Sequence, residues 1–305
     1  MQTRTLGSLT VSVVGIGCNN FGGRLDQDGT TAVVTAALDA GVTLFDTADI
    51  YGGTRSEEML GVALGSRRSE AVIATKFGMP IDDQRRGAHP DYVARACEDS
   101  LRRLGIETID LYQLHAPDAS VPIADTLGAL GALVTAGKVR EVGCSNFSAD
   151  QLREARAAGG PPFVSVQNQY SLLWRSPETD GVLAACDELS MGFLPYYPLA
   201  NGLLTGKVRP GEPVPAGTRL ASMPAERSAH WLSDELTSRV GDLLSLADEI
   251  ETPLLTLAFS WLLSHPEVSS VIAGCSNPDQ VRANVAAATT LAADVRARLD
   301  ALTAG

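Results

Sequence analysis

Four side chains with complementary acid–base properties follow three successive apolar runs of the 305-residue chain. Asp46 and Tyr51 follow one run, and Lys76 and His115 end the next two. A tyrosine hydroxyl is a poor acid near neutral pH because its usual pKa is about 10, but a nearby ammonium group lowers that pKa. A buried lysine keeps its charge when a carboxylate holds it. We therefore expect Asp46 to hold Lys76, which would make Tyr51 a competent proton donor to a carbonyl that is being reduced. His115 would align the carbonyl oxygen.

Each of these residues also has a purely structural interpretation. Asp46 suits a helix cap or turn, Tyr51 suits an aromatic at the rim, and His115 suits a hydrogen-bonded strand end. The choice of lysine argues against coincidence, because only three of the 24 basic residues are lysines. A basic residue without a specific role would be expected to be arginine in this chain. Lys138, which precedes a later strand, is expected to be structural. The joint occurrence at three successive strand ends favours catalysis.

The elements that position these residues are short β-rich runs alternating with helical patterns. One helix is predicted at 91–104, ending at Gly105, and another at 56–65 with Ser56 as its N-cap. Runs that are apolar on both faces are typical of a parallel sheet, and eight strand–helix units predict an α/β (β/α)8 TIM barrel. A short N-terminal β-hairpin is expected to cap the barrel floor. The eight predicted strands span residues 13–17, 42–46, 72–76, 109–115, 139–145, 163–167, 193–196 and 271–273.

One domain over residues 1–305 is expected, because the strand–helix rhythm continues on both sides of the loop at 208–219. The alternative, an open doubly wound sheet, would carry a Gly-x-Gly-x-x-Gly turn after its first strand. The chain instead has a turn that lacks the third glycine, Gly15-Ile16-Gly17-Cys18-Asn19-Asn20.

Composition excludes several classes of function. A net charge of -12 argues against nucleic acid and against anionic membrane surfaces. No window approaches the roughly 18 apolar residues of a membrane-spanning helix, and the N-terminus has no secretory signal pattern. Five widely spaced cysteines predict buried thiols in a reducing cytoplasm. No cluster has metal-ligand spacing, which disfavours a metal-dependent hydrolase or isomerase.

Seven motifs occur in an order that resembles the aldo-keto reductase family over nearly the whole chain. The resemblance implies a barrel without a separate dinucleotide-binding domain. It also implies an Asp46, Tyr51, Lys76 and His115 tetrad, with hydride transfer from a nicotinamide cofactor to an aldehyde or ketone. The motifs are Asp46-Thr47-Ala48-Asp49-Ile50-Tyr51-Gly52, Ala74-Thr75-Lys76-Phe77, Asp110-Leu111-Tyr112-Gln113-Leu114-His115, Gly143-Cys144-Ser145-Asn146-Phe147, Gln167-Asn168-Gln169-Tyr170, Pro198 to Lys207, and Ile272 to Pro278.

The same resemblance assigns the cofactor positions. It implies a carboxamide site, an aromatic stacking on the nicotinamide, a pyrophosphate loop and an adenosine site. NADP is expected over NAD, although Gln280 stands where some relatives place an arginine for the 2′-phosphate; Arg219 or Arg282 would compensate. The implied residues are Ser145, Asn146 and Gln167 for the carboxamide, Tyr196 for the stacking aromatic, Pro198, Leu199, Gly202 and Lys207 for the pyrophosphate loop, and Gly274, Ser276, Gln280 and Asn284 for the adenosine, together with Arg219.

Substrate and partner are the least determined features. The residues expected to line the mouth of the site for a small-molecule carbonyl compound are Asn20, Phe21, Phe77, Met79 and Trp174. The residues do not distinguish among aliphatic aldehydes, aromatic aldehydes, ketones and sugar-derived carbonyls as substrates, and they do not indicate an oligomeric state. The alternative function is a nucleotide-sensing regulatory subunit that resembles potassium-channel β subunits. Those relatives carry asparagine at the position of His115, which favours an enzyme here.

Overall fold

Eight parallel strands carry the polar residues described above. A computed structural model describes residues 1–304 of the chain. An antiparallel hairpin, β1 and β2, precedes the parallel sheet of β3 to β10. The strands are β1 (Thr3–Leu6), β2 (Leu9–Ser12), β3 (Val14–Gly17), β4 (Leu44–Asp46), β5 (Val72–Phe77), β6 (Ile109–Leu114), β7 (Val139–Ser145), β8 (Ser165–Gln167), β9 (Gly192–Phe193) and β10 (Val271–Gly274).

Twelve α-helices are described, most of them in the connections between strands. Four short 3-10 helices, at Cys18–Asn20, Tyr51–Thr54, Gly65–Glu70 and Ala200–Thr205, complete the connections. The α-helices are α1 (Gln27–Asp39), α2 (Arg55–Leu64), α3 (Pro90–Leu104), α4 (Ile123–Thr135), α5 (Ala149–Ala158), α6 (Ser176–Thr179), α7 (Val182–Leu189), α8 (Ala225–Trp231), α9 (Asp234–Glu249), α10 (Leu254–Leu263), α11 (Pro278–Ala287) and α12 (Ala293–Thr303). No helix within residues 1–304 is both long enough and apolar enough to cross a membrane.

The sheet closes on itself. Its strand order is β10-β3-β4-β5-β6-β7-β8-β9, so β9 and β10 form the two ends. The Phe193 N–H donates to the Glu267 carbonyl at 2.7 Å, and the Ser269 N–H donates to the Phe193 carbonyl at 2.9 Å. These bonds join β9 to the segment that enters β10. The predicted (β/α)8 barrel is confirmed.

The hairpin fills one end of the barrel. Leu6, Leu9 and Val11 form one buried cluster with side chains from β4, β5, β6 and β10. The Ser8 N–H donates to the Glu141 carboxylate near the start of β7, at 2.7 Å. The Arg4 guanidinium donates to backbone carbonyls at and beyond the end of α10, those of Leu263 (2.6 Å), His265 (3.1 Å) and Val268. The predicted floor cap is confirmed.

The start of α2 differs from the prediction. The helix begins at Arg55, after Thr54 in a left-handed conformation with φ of +78°, and Ser56 lies inside the first turn. The Ser56 hydroxyl donates to the Cys18 carbonyl at 2.9 Å and bonds the Thr47 hydroxyl. The N-cap prediction was wrong because tertiary partners occupy this hydroxyl. The prediction of a helix at 91–104 is confirmed, with Pro90 as its first residue.

Glycine at one position allows α2 to approach α3. A Cβ atom on Gly61 would lie 2.3 Å from the Leu104 carbonyl oxygen.

We expect Gly61→Ala to lower the free energy of unfolding by about 2 kcal/mol or more, because the two helices must separate. In α4, Gly128 has open space around its Cβ position, so Gly128→Ala is expected to raise stability by about 0.5–1 kcal/mol. Urea denaturation checks both variants, and equal shifts would contradict the packing argument.

Candidate active site

A cavity of about 750 Å³ opens where the strands end at their carboxyl termini. In a barrel this is the end at which loops can gather functional groups without disturbing the core. Asp46, Tyr51 and His115 line the cavity, and Lys76 lies buried behind them. All thirteen residues assigned to the cofactor by resemblance also line it: Ser145, Asn146, Gln167, Tyr196, Pro198, Leu199, Gly202, Lys207, Arg219, Gly274, Ser276, Gln280 and Asn284.

The innermost feature of the site is a buried ion pair. The Lys76 Nζ donates to Asp46 Oδ2 at 2.6 Å and to the Thr47 carbonyl at 2.9 Å. Lys76 is 0% exposed and Asp46 is 3% exposed. Burial by itself lowers the pKa of Lys76, but the charges of Asp46 and Tyr51 and the hydrogen bond to Asp46 outweigh it. The pKa of Lys76 ends above its usual value. The lysine is therefore charged near neutral pH, as the sequence predicted.

Tyr51 lies against this cation. The Lys76 Nζ is 5.2 Å from the centre of the Tyr51 ring. Burial raises the pKa of Tyr51, and Lys76 opposes that rise by charge and by hydrogen bonding. The net direction is upward, whereas the sequence argument considered only the lowering by the ammonium group. Tyr51 is thus a protonated hydroxyl near neutral pH, and Lys76 keeps it from becoming a still weaker acid.

The turn that presents Tyr51 depends on tight backbone packing. The Asp49 N–H donates to the Lys76 carbonyl at 3.1 Å, which ties the turn to β5. Gly52 follows with φ of +60°, and a Cβ atom there would lie 2.4 Å from the Phe21 carbonyl oxygen. A residue with a side chain would push the turn away from the loop after β3. Gly52 therefore fixes the direction of the preceding tyrosine.

His115 stands beside Tyr51 and is neutral. The two rings meet edge to face, with centres 5.8 Å apart. Burial, with a smaller contribution from the Lys76 charge, lowers the pKa of His115 to about 3. The imidazole therefore carries a single N–H near pH 7 and can donate a hydrogen bond without adding charge. This geometry suits the predicted role of aligning an oxygen atom.

Two amide side chains hold the other oxygen of Asp46. Gln167 Nε2 donates to Asp46 Oδ1 at 2.9 Å, and Gln113 Nε2 donates to the same atom at 3.1 Å. Gln167 was expected at the cofactor. Gln113 was not assigned any role, although it lies in the sequence motif that ends at His115. The only signal in the sequence was a polar residue near the end of a strand that is expected to be buried.

A second hydrogen-bond chain runs along the cavity wall. The Tyr196 hydroxyl donates to Asn146 Oδ1 at 2.9 Å, and Asn146 Nδ2 donates to the His115 carbonyl at 2.9 Å. The Ser145 hydroxyl donates to the Gln167 carbonyl at 2.7 Å. Asn146 adopts φ of +63°, a conformation that asparagine tolerates better than most residues. The chain fixes an amide and an aromatic ring on one wall, next to Tyr51 and His115.

The cavity is locally positive in a chain of net charge -12. Arg24, Lys207 and Arg219 line it, and among the described lining residues Asp46 is the one carboxylate. That carboxylate is neutralised by Lys76. Arg219 also lies over the ring of Tyr197, with its guanidinium carbon 5.7 Å from the ring centre. Such a surface suits an anionic ligand.

The outer end of the cavity meets the start of α11. The Ser276 N–H donates to Gln280 Oε1 at 2.8 Å, which leaves the Gln280 amide nitrogen free to face a ligand. The Gln280 N–H is already satisfied by the Asn277 side chain at 3.0 Å. Arg282 pairs with Asp279 at 2.7 Å and does not line the cavity. Of the two arginines proposed to compensate for Gln280, only Arg219 lines the cavity.

Most of the predicted substrate residues are not at the cavity. Phe21 and Phe77 are 0% exposed and do not line it, because Phe21 belongs to the core and Phe77 stacks on Tyr112. These two rings are therefore not among the residues that face the cavity in this structure. Trp174 is 40% exposed and lies outside the lining. Asn20 does line the cavity, and its amide donates to the Cys275 carbonyl at 3.0 Å.

Several lining residues were given no role from the sequence, and three of them are polar or aromatic side chains of interest. Arg24 follows the first barrel strand and contacts the Ser222 hydroxyl across the cavity, with no motif to mark it. Tyr197 adjoins the assigned Tyr196, and Asn201 lies within the motif that ends at Lys207. Asn201 is 7% exposed, and its side-chain oxygen has no hydrogen-bond partner among residues 1–304. An amide with an unused acceptor in a cavity wall is a candidate ligand contact.

Several known proteins are similar to this chain over most of its length. The chain is 35% identical over 286 residues to probable aldo-keto reductase 1 of Glycine max, covering 91% of this chain and 81% of that protein. It is 35% identical over 277 residues to the NADP(+) aldo-keto reductase yakc of Schizosaccharomyces pombe, covering 87% and 80%. It is also 33% identical over 302 residues to a probable voltage-gated potassium channel subunit beta of Arabidopsis thaliana, covering 94% and 91%.

The family assignment agrees with the fold and with the site. The sequence model of the aldo/keto reductase family matches residues 13–304, which span all eight strands of the barrel. Within that span the structure brings Asp46, Tyr51, Lys76 and His115 together at one end of the barrel. The chain belongs to the aldo/keto reductase family.

Proposed function

We propose that this protein reduces an aldehyde or ketone to an alcohol, with NADPH as the hydride source and Tyr51 as the proton donor. One observation carries the proposal. A fully buried Lys76, paired with Asp46 at 2.6 Å, lies against Tyr51 at the inner end of a positively charged cavity. A buried cation that contacts a single tyrosine suits proton donation better than a structural role, because burying a charge is costly.

The residues of the chain divide the reaction between them. When a nicotinamide cofactor is bound, it supplies the hydride. The Tyr51 hydroxyl donates its proton to the carbonyl oxygen as negative charge develops there, and Lys76 stabilises the phenolate that remains. The neutral His115 donates a hydrogen bond to the same oxygen and fixes its position. Asp46 keeps Lys76 charged throughout.

NADP is proposed over NAD on the basis of local charge. Lys207 and Arg219 bring positive charge to the cavity that Ser276 and Gln280 also line. A 2′-phosphate adds two negative charges at most, which an arginine recognises better than a neutral amide does. A relative with 35% identity is named for NADP(+), which supports the same choice.

We further propose a small-molecule carbonyl substrate and a cytoplasmic location. The cavity volume of about 750 Å³ falls within the range of small-molecule sites. All five cysteines are buried and unpaired, as expected of thiols in a reducing compartment.

A regulatory role is the alternative, and it is raised by the similarity to a probable potassium channel subunit beta. His115 favours the enzyme, because its neutral imidazole lies beside the Tyr51 ring and both side chains line the cavity. NADPH consumption over a panel of aliphatic, aromatic, ketone and sugar-derived carbonyls discriminates between the two functions. Tight NADPH binding without turnover on any member of the panel would support the regulatory subunit.

Tyr51→Phe is expected to lower kcat on any active carbonyl by about a hundredfold or more, because only the proton donor is lost. NADPH affinity, measured by fluorescence titration, should stay within about twofold of the wild type. Tyr112→Phe is the matched control, since Tyr112 is fully buried and its hydroxyl has no partner among residues 1–304. A Tyr51 variant that keeps more than a few per cent of the wild-type rate would defeat the assignment.

Lys76→Met is expected to reduce kcat by about a hundredfold or more and to move the basic limb of the pH–rate profile to higher pH. The physical reason is that Lys76 lowers the pKa of Tyr51, so its loss leaves a weaker acid. Lys138→Met is the control, because Lys138 pairs with Glu98 on the protein surface. An unchanged pH profile in the Lys76 variant would remove that residue from the mechanism.

Arg219→Ala is expected to raise KM for NADPH about tenfold and to change KM for NADH little, because only NADPH offers a 2′-phosphate. Arg282→Ala should leave both constants unchanged, since Arg282 pairs with Asp279 outside the cavity. Steady-state kinetics with both cofactors measures the effect. An equal loss with NADH and NADPH would mean that Arg219 contacts a part common to both.

A further inference from the structure

An amide side chain occupies the barrel interior directly below the site. Gln113 is 0% exposed and lies on β6, where it is the register partner of Lys76 on β5. Two residues earlier on the same face, Leu111 belongs to the apolar cluster that fills the barrel. Barrel interiors are filled by branched apolar side chains, so an amide at this depth is unusual.

Gln113 has one hydrogen-bonding partner. Its Nε2 donates to Asp46 Oδ1 at 3.1 Å, while its Oε1 is buried without a partner among residues 1–304. The amide cannot be turned over, because that would place its oxygen against the Asp46 carboxylate. A buried oxygen without a donor destabilises the fold, and methionine or leucine would avoid that cost. The single bond to Asp46 is therefore the one contact that an apolar residue could not replace.

The neighbouring strand leaves room for this amide. Gly143 on β7 is the register partner of Gln113. A Cβ atom on Gly143 would lie 3.3 Å from Gln113 Cγ and 2.5 Å from the Ser165 hydroxyl. A residue with a side chain at position 143 would push the Gln113 amide away from the Asp46 carboxylate. The barrel backbone is thus arranged so that the amide can reach the carboxylate.

Gln113 differs from Gln167, which binds the same oxygen. Gln167 lines the cavity, so its amide is exposed to whatever ligand enters. Gln113 does not line the cavity, and its bond to Asp46 is independent of a ligand. The carboxylate therefore has one amide partner that faces the ligand and one that stays constant.

We propose that Gln113 is a positioning residue for carbonyl reduction: its amide fixes the Asp46 carboxylate, so that Lys76 stays paired and Tyr51 stays against an ammonium group. The inference rests on the proposed function, since it concerns the same reaction. Gln113 acts through Asp46 and touches neither substrate nor cofactor. Its loss leaves the cavity wall unchanged but loosens the ion pair beneath the proton donor.

The first test replaces the amide with an apolar side chain of the same length. Gln113→Met should lower kcat about tenfold while KM for the carbonyl and NADPH affinity stay within about twofold. Leu111→Met is the matched control, one layer deeper on the same strand and without contact to Asp46. An unchanged kcat in the Gln113 variant, or an equal loss in both variants, would overturn the proposal.

The second test reads the ion pair without turnover. The chain has only three lysines, so ¹³C-labelled lysine gives three side-chain Cε resonances, and the Lys76→Met spectrum identifies that of Lys76. Asp46 raises the pKa of Lys76, so a loosened pair should let Lys76 titrate at lower pH in Gln113→Met than in the wild type. Measurement up to about pH 11 should find Lys76 still charged in the wild type, because Asp46 holds its pKa above the usual value, and losing its proton within that range in Gln113→Met. An identical Lys76 titration in both proteins would overturn the proposal.

The third test keeps the shape of the side chain and changes only its protonation. In Gln113→Glu, a protonated carboxyl can still donate to Asp46, whereas the ionised form repels it. The rate relative to wild type should therefore fall as that carboxyl ionises, while the ratio for Gln113→Met stays constant over the pH range in which Lys76 is charged in both proteins. A pH-independent ratio for Gln113→Glu would contradict the role. If the wild type reduces no carbonyl, the proposed function fails, and the Lys76 titration alone then decides whether Gln113 holds the pair.

Discussion

A buried ion pair between Asp46 and Lys76 is the interaction on which the rest of this site depends. Both side chains are almost completely buried, and a charge removed from water is tolerated only where donors and acceptors replace the lost hydration. The barrel supplies them from three further residues. Lys76 also binds the Thr47 carbonyl, and two glutamine amides bind the free oxygen of Asp46. The parallel strands bring these groups to one level because adjacent strands pair in register.

The charge of the cavity differs in sign from the net charge of the chain. The chain carries an excess of acidic residues, but the cavity exposes three cations and one carboxylate that Lys76 already neutralises. Many of the acidic residues instead pair with arginines on the helices, as Glu249 does with Arg298 at the surface. Net charge therefore describes the surface of this protein, and the local field of the cavity is set by a few residues on loops.

Sequence patterns predicted the elements well and side-chain surroundings less well. The eight strands and the helix at 91–104 follow from apolar periodicity, which is a local property. Ser56 was misassigned as an N-cap, and the rings of Phe21 and Phe77 lie outside the cavity wall, because their partners lie far away in the chain. The Ser56 hydroxyl binds the Cys18 carbonyl, Phe77 stacks on Tyr112, and Phe21 is enclosed in the core. No local sequence pattern shows which side chains of a loop point into the protein core.

The sequence by itself determined the barrel, its hairpin cap and the order of the motifs that place acid, base and amide groups at successive strand ends. Only the tertiary structure decided how these groups act on one another. Burial outweighs the effect of Lys76 on the pKa of Tyr51, and it keeps His115 neutral. The barrel also turns Gln113 toward Asp46. The reason is physical: hydrogen-bond partners and desolvation depend on distances between strands that are far apart in sequence, and those distances exist only once the sheet has closed.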